Sequence, residues 1–228
     1  MNATIEAHKV RIWVNKATAR EGRTQHRVMY YTPTLGKPAL VATDGFRIHA
    51  AWDVPDVALI PSKRILPQVR LLGSARRNNK VIESARNWMR EQNQMSNLLS
   101  KLEGQQVCTV FTDELRRCLM PIWNQYRDEG CKRGDDIMPV YLWFVPTYGL
   151  VSVYSNSRCI GTARAIYTRN PSEQIIGLQL PFLWDALTVH YGMEQVELAQ
   201  LAQDVGTAPM FGIGKWMHRY ALLMPLSK

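Results

Sequence analysis

The chain has 228 residues, 46% of them hydrophobic, enough to bury the cores of at most two ordinary domains. Lys and Arg number 28 against 19 Asp and Glu, a formal charge of +9, and that surplus favours a polyanionic partner through counterion release without naming one. The longest apolar runs, 140–145 and 220–225, fall far short of the roughly 20 residues a membrane span needs, and MNATIEAHKV at the N-terminus lacks the order of a secretory signal, so a cytoplasmic protein that makes no use of a membrane is expected.

Over 5–19, Val10, Trp13, Val14 and Ala17 recur at helical spacing while Lys9, Lys16 and Arg20 share another stripe, which predicts an amphipathic helix with a basic face. HRVMYYT, PALVAT and FRIHAAWDV then read as three short strands, the last two joined by Asp44-Gly45. Both residues tolerate positive φ, so a tight antiparallel hairpin is expected there. DVALIPSKRILPQVRLL reads as a strand ending at Pro61 and a short helix with Ser62 as N-cap and Ile65, Val69 and Leu72 on one face. Between 78 and 102, Val81, Ala85, Trp88, Met95, Leu99 and Leu102 follow a seam of alternating fours and threes, interrupted by Gln92, the rhythm of helix-on-helix packing.

A second unit begins with the strand VCTVF, followed by a helix that Thr112, Asp113 and Glu114 cap and charge at its start and that Pro121 should kink or interrupt. VYLWFVP, LVSVYS, CIGTARAIYT and IIGLQL read as strands, PFLWDALTVHY as a helix, and QVELAQ and YALLMPL as the closing strands. Both units would run helix, antiparallel strands, helix, strand. Cys108, Cys118, Cys131 and Cys159 are irregularly spaced, with no CxxC pair and no clustered histidines, which argues against zinc and predicts reduced, mostly buried thiols. No Gly-rich phosphate loop, GxSxG or HExxH is present, and Asp135-Asp136 in CKRGDD reads as a solvated loop. No enzyme activity, metal or cofactor is expected.

LVATDGFRIHA at 40–50 resembles the signature hairpin of the bacterial DNA sliding clamp family, the beta subunit of DNA polymerase III, which carries Ala-Thr-Asp-Gly-His-Arg-Leu-Ala there. Ala42, Thr43, Asp44, Gly45 and Arg47 match, Ile48 is a close substitute, and Phe46 stands in place of His. DVALIPSKRILPQVRLL is similar to the strand, turn and helix that follow this hairpin in the family's middle domain. LPFLWDAL, QVELAQL and YALLMPL resemble the last helix, strand and Met-Pro end of its third domain. The resemblance implies an α+β fold of two DNA-clamp-type domains, each with helices packed on antiparallel sheet. Residues 1–104 would be the middle-domain relative, abbreviated or rebuilt with the extra helix 78–102, and residues 105–228 the C-terminal-domain relative.

By the same resemblance the protein is a processivity factor that holds double-stranded DNA without sequence preference. Diffuse positive charge serves that purpose, and Lys9, Lys16, Arg20, Lys63, Arg70, Arg116 and Arg117 are its candidates on the helices. DNA polymerase, clamp loader or repair proteins would dock short peptides in a hydrophobic cleft made of Thr43, Gly45, Arg47, Ile48, Leu223, Met224, Pro225 and Leu226. Two domains per chain complete a six-domain ring as a homo-oligomer of three. The alternative is a clamp-fold regulator or adaptor that binds replication proteins without encircling DNA, and a weaker one is a DNA binder with sequence preference.

Overall fold

A computed structural model of the chain describes residues 3–17, 29–34, 37–44, 46–52, 106–130, 138–168, 173–190, 193–201, 210–215 and 219–226. The expected strand and helix of 54–72, the seam helix 78–102 and the boundary at 104 lie outside the described residues.

Helix α1 (Ala3–Asn15) is followed by strands β1 (Met29–Thr34), β2 (Lys37–Thr43) and β3 (Arg47–Trp52). Then come β4 (Gln106–Phe111), α2 (Thr112–Asp128), β5 (Pro139–Val145), β6 (Leu150–Ser155) and β7 (Arg158–Tyr167). The chain continues with β8 (Gln174–Gln179), α3 (Leu180–Thr188), β9 (Gln195–Leu201), β10 (Met210–Lys215) and β11 (Arg219–Leu223). The order strand, helix, three strands thus occurs twice, at β4–β7 and β8–β11, and α1–β3 follows the same order from its helix onward. In the second unit α2, β5–β8, α3 and β9–β11 run helix, strands, helix, strands, close to the expected pattern, whereas the second helix expected in the first unit lies outside the described residues.

The eleven strands form one sheet in the order β1-β2-β3-β11-β10-β9-β4-β7-β6-β5-β8, and every paired neighbour is antiparallel. An α+β architecture of helices on antiparallel sheet is therefore present. Alternation sets the faces. Val140, Leu142 and Phe144 of β5 and Ile176 and Leu178 of β8 are buried in the core, whereas Tyr141 and Ile175 between them are exposed. The stripe read in the first helix holds, since Val10, Trp13, Val14 and Ala17 are all buried. Eight of the nine residues of α3 are buried, the mark of a helix enclosed on all sides, and Trp184 on it stacks on Trp123 of α2 at 5.1 Å.

Three local expectations are corrected. Pro121 lies inside a continuous α2; it is on an exposed face, where water can take up the carbonyl that the ring leaves without a donor. Phe111, not Thr112, is the N-cap residue of α2, with no side-chain cap bond. The acidic first turn serves the sheet instead: β4 leaves the ladder at Phe111, and Glu114 accepts the orphaned Arg164 N–H at 2.8 Å and its Nε at 2.7 Å. Strand β10 was not expected, because its glycines give it weak strand propensity. They have a packing role: a Cβ on Gly214 would meet the Tyr220 ring at 2.4 Å.

The three described cysteines are free thiols, and the expectation of mostly buried ones holds for Cys108 and Cys118, whereas Cys159 is exposed and Cys131 lies outside the described residues. Burial pushes the Cys108 thiol up to about 12. Among the described residues no helix is long and apolar enough to cross a membrane.

Candidate functional site

The last pair of the β2–β3 hairpin is Thr43 with Ile48, so the hairpin is wider than a two-residue turn. Asp44 acts through its side chain rather than through positive φ, because Asn156 and Ser157 are the non-glycine residues with positive φ among those described. Its Oδ1 accepts the Phe46 and Arg47 amides at 3.0 and 3.1 Å, an Asx turn that closes the loop. The Thr43 hydroxyl donates to the Arg47 carbonyl at 2.8 Å from the other side.

Strand β3 pairs directly with β11, Arg47 opposite Leu223 and Ile48 opposite Leu222. Beyond the ladder the Met224 amide donates to the Phe46 carbonyl at 2.9 Å, and the Leu226 amide donates to the Gly177 carbonyl on β8 at 2.9 Å. Residues 224–226 thus tie the hairpin to β8, at the far end of the sheet order. Gly177 keeps the crossing open, for a Cβ there would press on the Tyr141 ring at 3.0 Å and approach Leu226 at 3.5 Å. The surface at this junction carries exposed Phe46 and Tyr141, with Met224, Pro225 and Leu226 half-buried. Ile48 and Leu223 lie beneath it in the core, Thr43 is half-buried, and Gly45 lies outside the described residues.

Arg47 sits inside the protein at 7% exposure rather than on a rim. Its Nε pairs with Asp44 Oδ2 at 3.0 Å, its Nη1 with Asp185 Oδ2 at 3.0 Å, and its Nη2 donates to the Lys16 carbonyl. The guanidinium stacks over Phe182 at 4.5 Å. A carboxylate in the enclosed helix α3 is costly unless paired, and Asp185 is paired twice, since Lys16 Nζ lies 3.3 Å from its other oxygen. Trp13 donates its indole N–H to the Asp185 carbonyl at 2.9 Å and stacks on His49 at 4.4 Å. His49 Nδ1 lies 2.9 Å from the Trp13 carbonyl. A carbonyl can only accept, so Nδ1 carries the proton and Nε2, which has no partner, is the bare nitrogen. Burial, and then the neighbouring Arg47, hold the His49 pKa down to about 3. Asp185, His49, Trp13 and Phe182 escape sequence reasoning. The signal that could have found them is the lone carboxylate in the otherwise apolar PFLWDAL helix.

The helix cations are placed unequally. Lys9 and Arg117 are exposed, and Arg116 is half-buried. Arg117 Nε donates to the Asp113 carbonyl at 3.3 Å, whereas Arg116 stacks over Trp184 at 5.0 Å. Lys16 is engaged with Asp185. Arg20, Lys63 and Arg70 lie outside the described residues, as do Asp135 and Asp136.

No protein-family model and no curated protein matches the sequence. Solved structures do. The DNA polymerase sliding clamp of Caulobacter crescentus matches with a TM-score of 0.59 at 14% identity over 99% of this chain and 64% of its own. That of Pseudomonas aeruginosa matches at 0.57, 13%, 98% and 65%, and that of Bacillus subtilis at 0.55, 14%, 99% and 63%. The chain spans less than two thirds of the length of each of these clamps. At such identity the likeness is one of fold: nearly the whole chain is structurally similar to bacterial DNA polymerase III beta sliding clamps.

Proposed function

We propose that this chain, having a sliding-clamp fold, holds double-stranded DNA without reading its sequence and docks replication or repair proteins through a hydrophobic groove at the 43–48 hairpin and the 223–226 segment. The observation that carries this reading is the junction itself. Two segments nearly the whole chain apart pair as strands, Arg47 with Leu223, and continue into an apolar surface of exposed Phe46 and half-buried Met224, Pro225 and Leu226. Such a surface binds by burial, at about 1.5 to 3 kcal/mol for a fully covered apolar side chain. Thr43, Gly45, Ile48 and Leu223 form its floor in this reading, and Arg47 fixes the hairpin from inside. Lys9, Lys16, Arg20, Lys63, Arg70, Arg116 and Arg117 supply the phosphate-facing charge, and three copies of a two-domain chain divided near residue 104 complete a ring.

The test is the solution mass with and without duplex DNA, together with anisotropy of a labelled peptide carrying apolar side chains and a Gln. A trimer, micromolar peptide binding and duplex binding indifferent to sequence are expected. One observation favours the adaptor reading, in which the groove binds partners and no DNA is encircled. The exposed side of α2 is not predominantly basic, since Asp113, Asp128 and Glu129 accompany Arg117 and Arg127 there. A monomer that binds peptide but not duplex would decide for the adaptor.

A further inference from the structure

Lys16, Asp185 and Arg47 join the face assigned to DNA to the groove assigned to partners. The Asp185 side chain is 1% exposed and is shared by cations from two elements, Lys16 just past α1 at 3.3 Å and Arg47 at the start of β3 at 3.0 Å. The remaining donors of Arg47 reach Asp44 in the hairpin and the Lys16 carbonyl. Within this cluster solvent reaches Lys16 most easily, at 21% against 8% for Arg47 and 13% for Asp44. Lys9 is exposed seven residues earlier, two helical turns away on the same stripe, so a phosphate backbone laid along α1 meets both.

We infer that Lys16 couples polyanion binding on α1 to the 43–48 hairpin, so that duplex DNA and a groove peptide bind cooperatively; this rests on the function proposed above. Lysine is a point charge on a flexible stem, and it can turn to a phosphate while the planar guanidinium stays in place. Asp185 Oδ1 then gives up its contact with Lys16, and the carboxylate closes on Arg47 as a two-pronged pair. Arg47 is drawn to α3 and takes the hairpin with it through Asp44 and Thr43. Phe46, whose carbonyl holds the Met224 amide, sets both walls of the groove in the bound arrangement. Because binding free energies are linked, the peptide strengthens DNA binding by the same factor.

The experiment titrates the labelled peptide at low salt with and without a saturating random-sequence duplex, and follows the Arg47 Nε–H resonance by NMR as duplex is added. Peptide affinity rises about fivefold with duplex, and the resonance shifts. In Lys16→Met both effects vanish. In Lys9→Met duplex binding weakens, yet the enhancement returns once duplex is saturating. If duplex and peptide each bind but the peptide affinity and the Arg47 signal ignore the duplex, the coupling is overturned while the functional reading stands. If no duplex binds at low salt, the DNA reading fails and the coupling fails with it. Should the peptide not bind, the groove reading fails and the cooperativity fails with it, whatever the Arg47 signal does.

Discussion

Acid should loosen this protein through one buried ring, His49. It is fully enclosed, stacked under Trp13 with Nε2 unpartnered, and its pKa is held down to about 3 from 6.5. Between those values the unfolded chain takes up a proton that the folded chain refuses, so stability is complete above pH 6.5 and falls as pH drops towards 3. At pH 5 the loss is about 2 kcal/mol, from roughly 1.4 kcal/mol per pH unit over about one and a half units below the unfolded pKa. This figure barely depends on how far below 5 the folded pKa lies. Carboxylates titrate in the same range, so the measurement is a comparison with His49→Asn, whose amide keeps a donor for the Trp13 carbonyl but cannot ionise. Urea unfolding followed by tryptophan fluorescence at pH 7.5, 6 and 5 should give the wild type about 2 kcal/mol more loss than the variant over this range. Parallel slopes would refute the reasoning, because they would mean that the folded protein accepts the proton at His49.

Met224→Ala should weaken groove peptide binding at least tenfold, about 1.4 kcal/mol, with thermal stability measured alongside because its neighbour Leu226 bonds to β8. Lys9→Glu with Arg117→Glu should lower duplex affinity and flatten its salt dependence by about one unit of log–log slope per lost phosphate contact. At Lys16 a Glu would face Asp185, so Met is the informative replacement, and its melting temperature should drop. Gly214→Val should destabilise by about 2 kcal/mol, since its side chain meets the Tyr220 ring.

Periodicity made the buried stripe of α1 and most strands of the second unit readable, because alternation and the 3.6-residue repeat are local properties. The 40–50 string and the Met-Pro end could be recognised as clamp-like from residues alone. Their pairing as β3 and β11 is a long-range fact that no local pattern contains. Strand β10 was hidden by glycines whose reason is a tyrosine on the next strand. Lys16 reads as one member of a basic stripe, yet its partner is a carboxylate carried by α3. Asp44 was rightly placed in a turn, but its side-chain bonds rather than its φ do the closing.

The seam between β3 and β11 also has a kinetic meaning. The β6–β7 hairpin closes over two residues, Asn156 and Ser157, whereas Trp13 and Asp185 meet from 172 residues apart. Local pairs are expected to form before distant ones, so the expected order is closure of the hairpins first and docking of β3 on β11 last, and a β3–β11 ladder as protected from hydrogen exchange as the β6–β7 hairpin would refute it. An undocked β11 presents an unpaired strand edge, and β3 of a second molecule satisfies it through the same ladder as its own. A crowded solution of partly opened chains therefore favours exchanged segments and chain-to-chain strand growth over clean refolding.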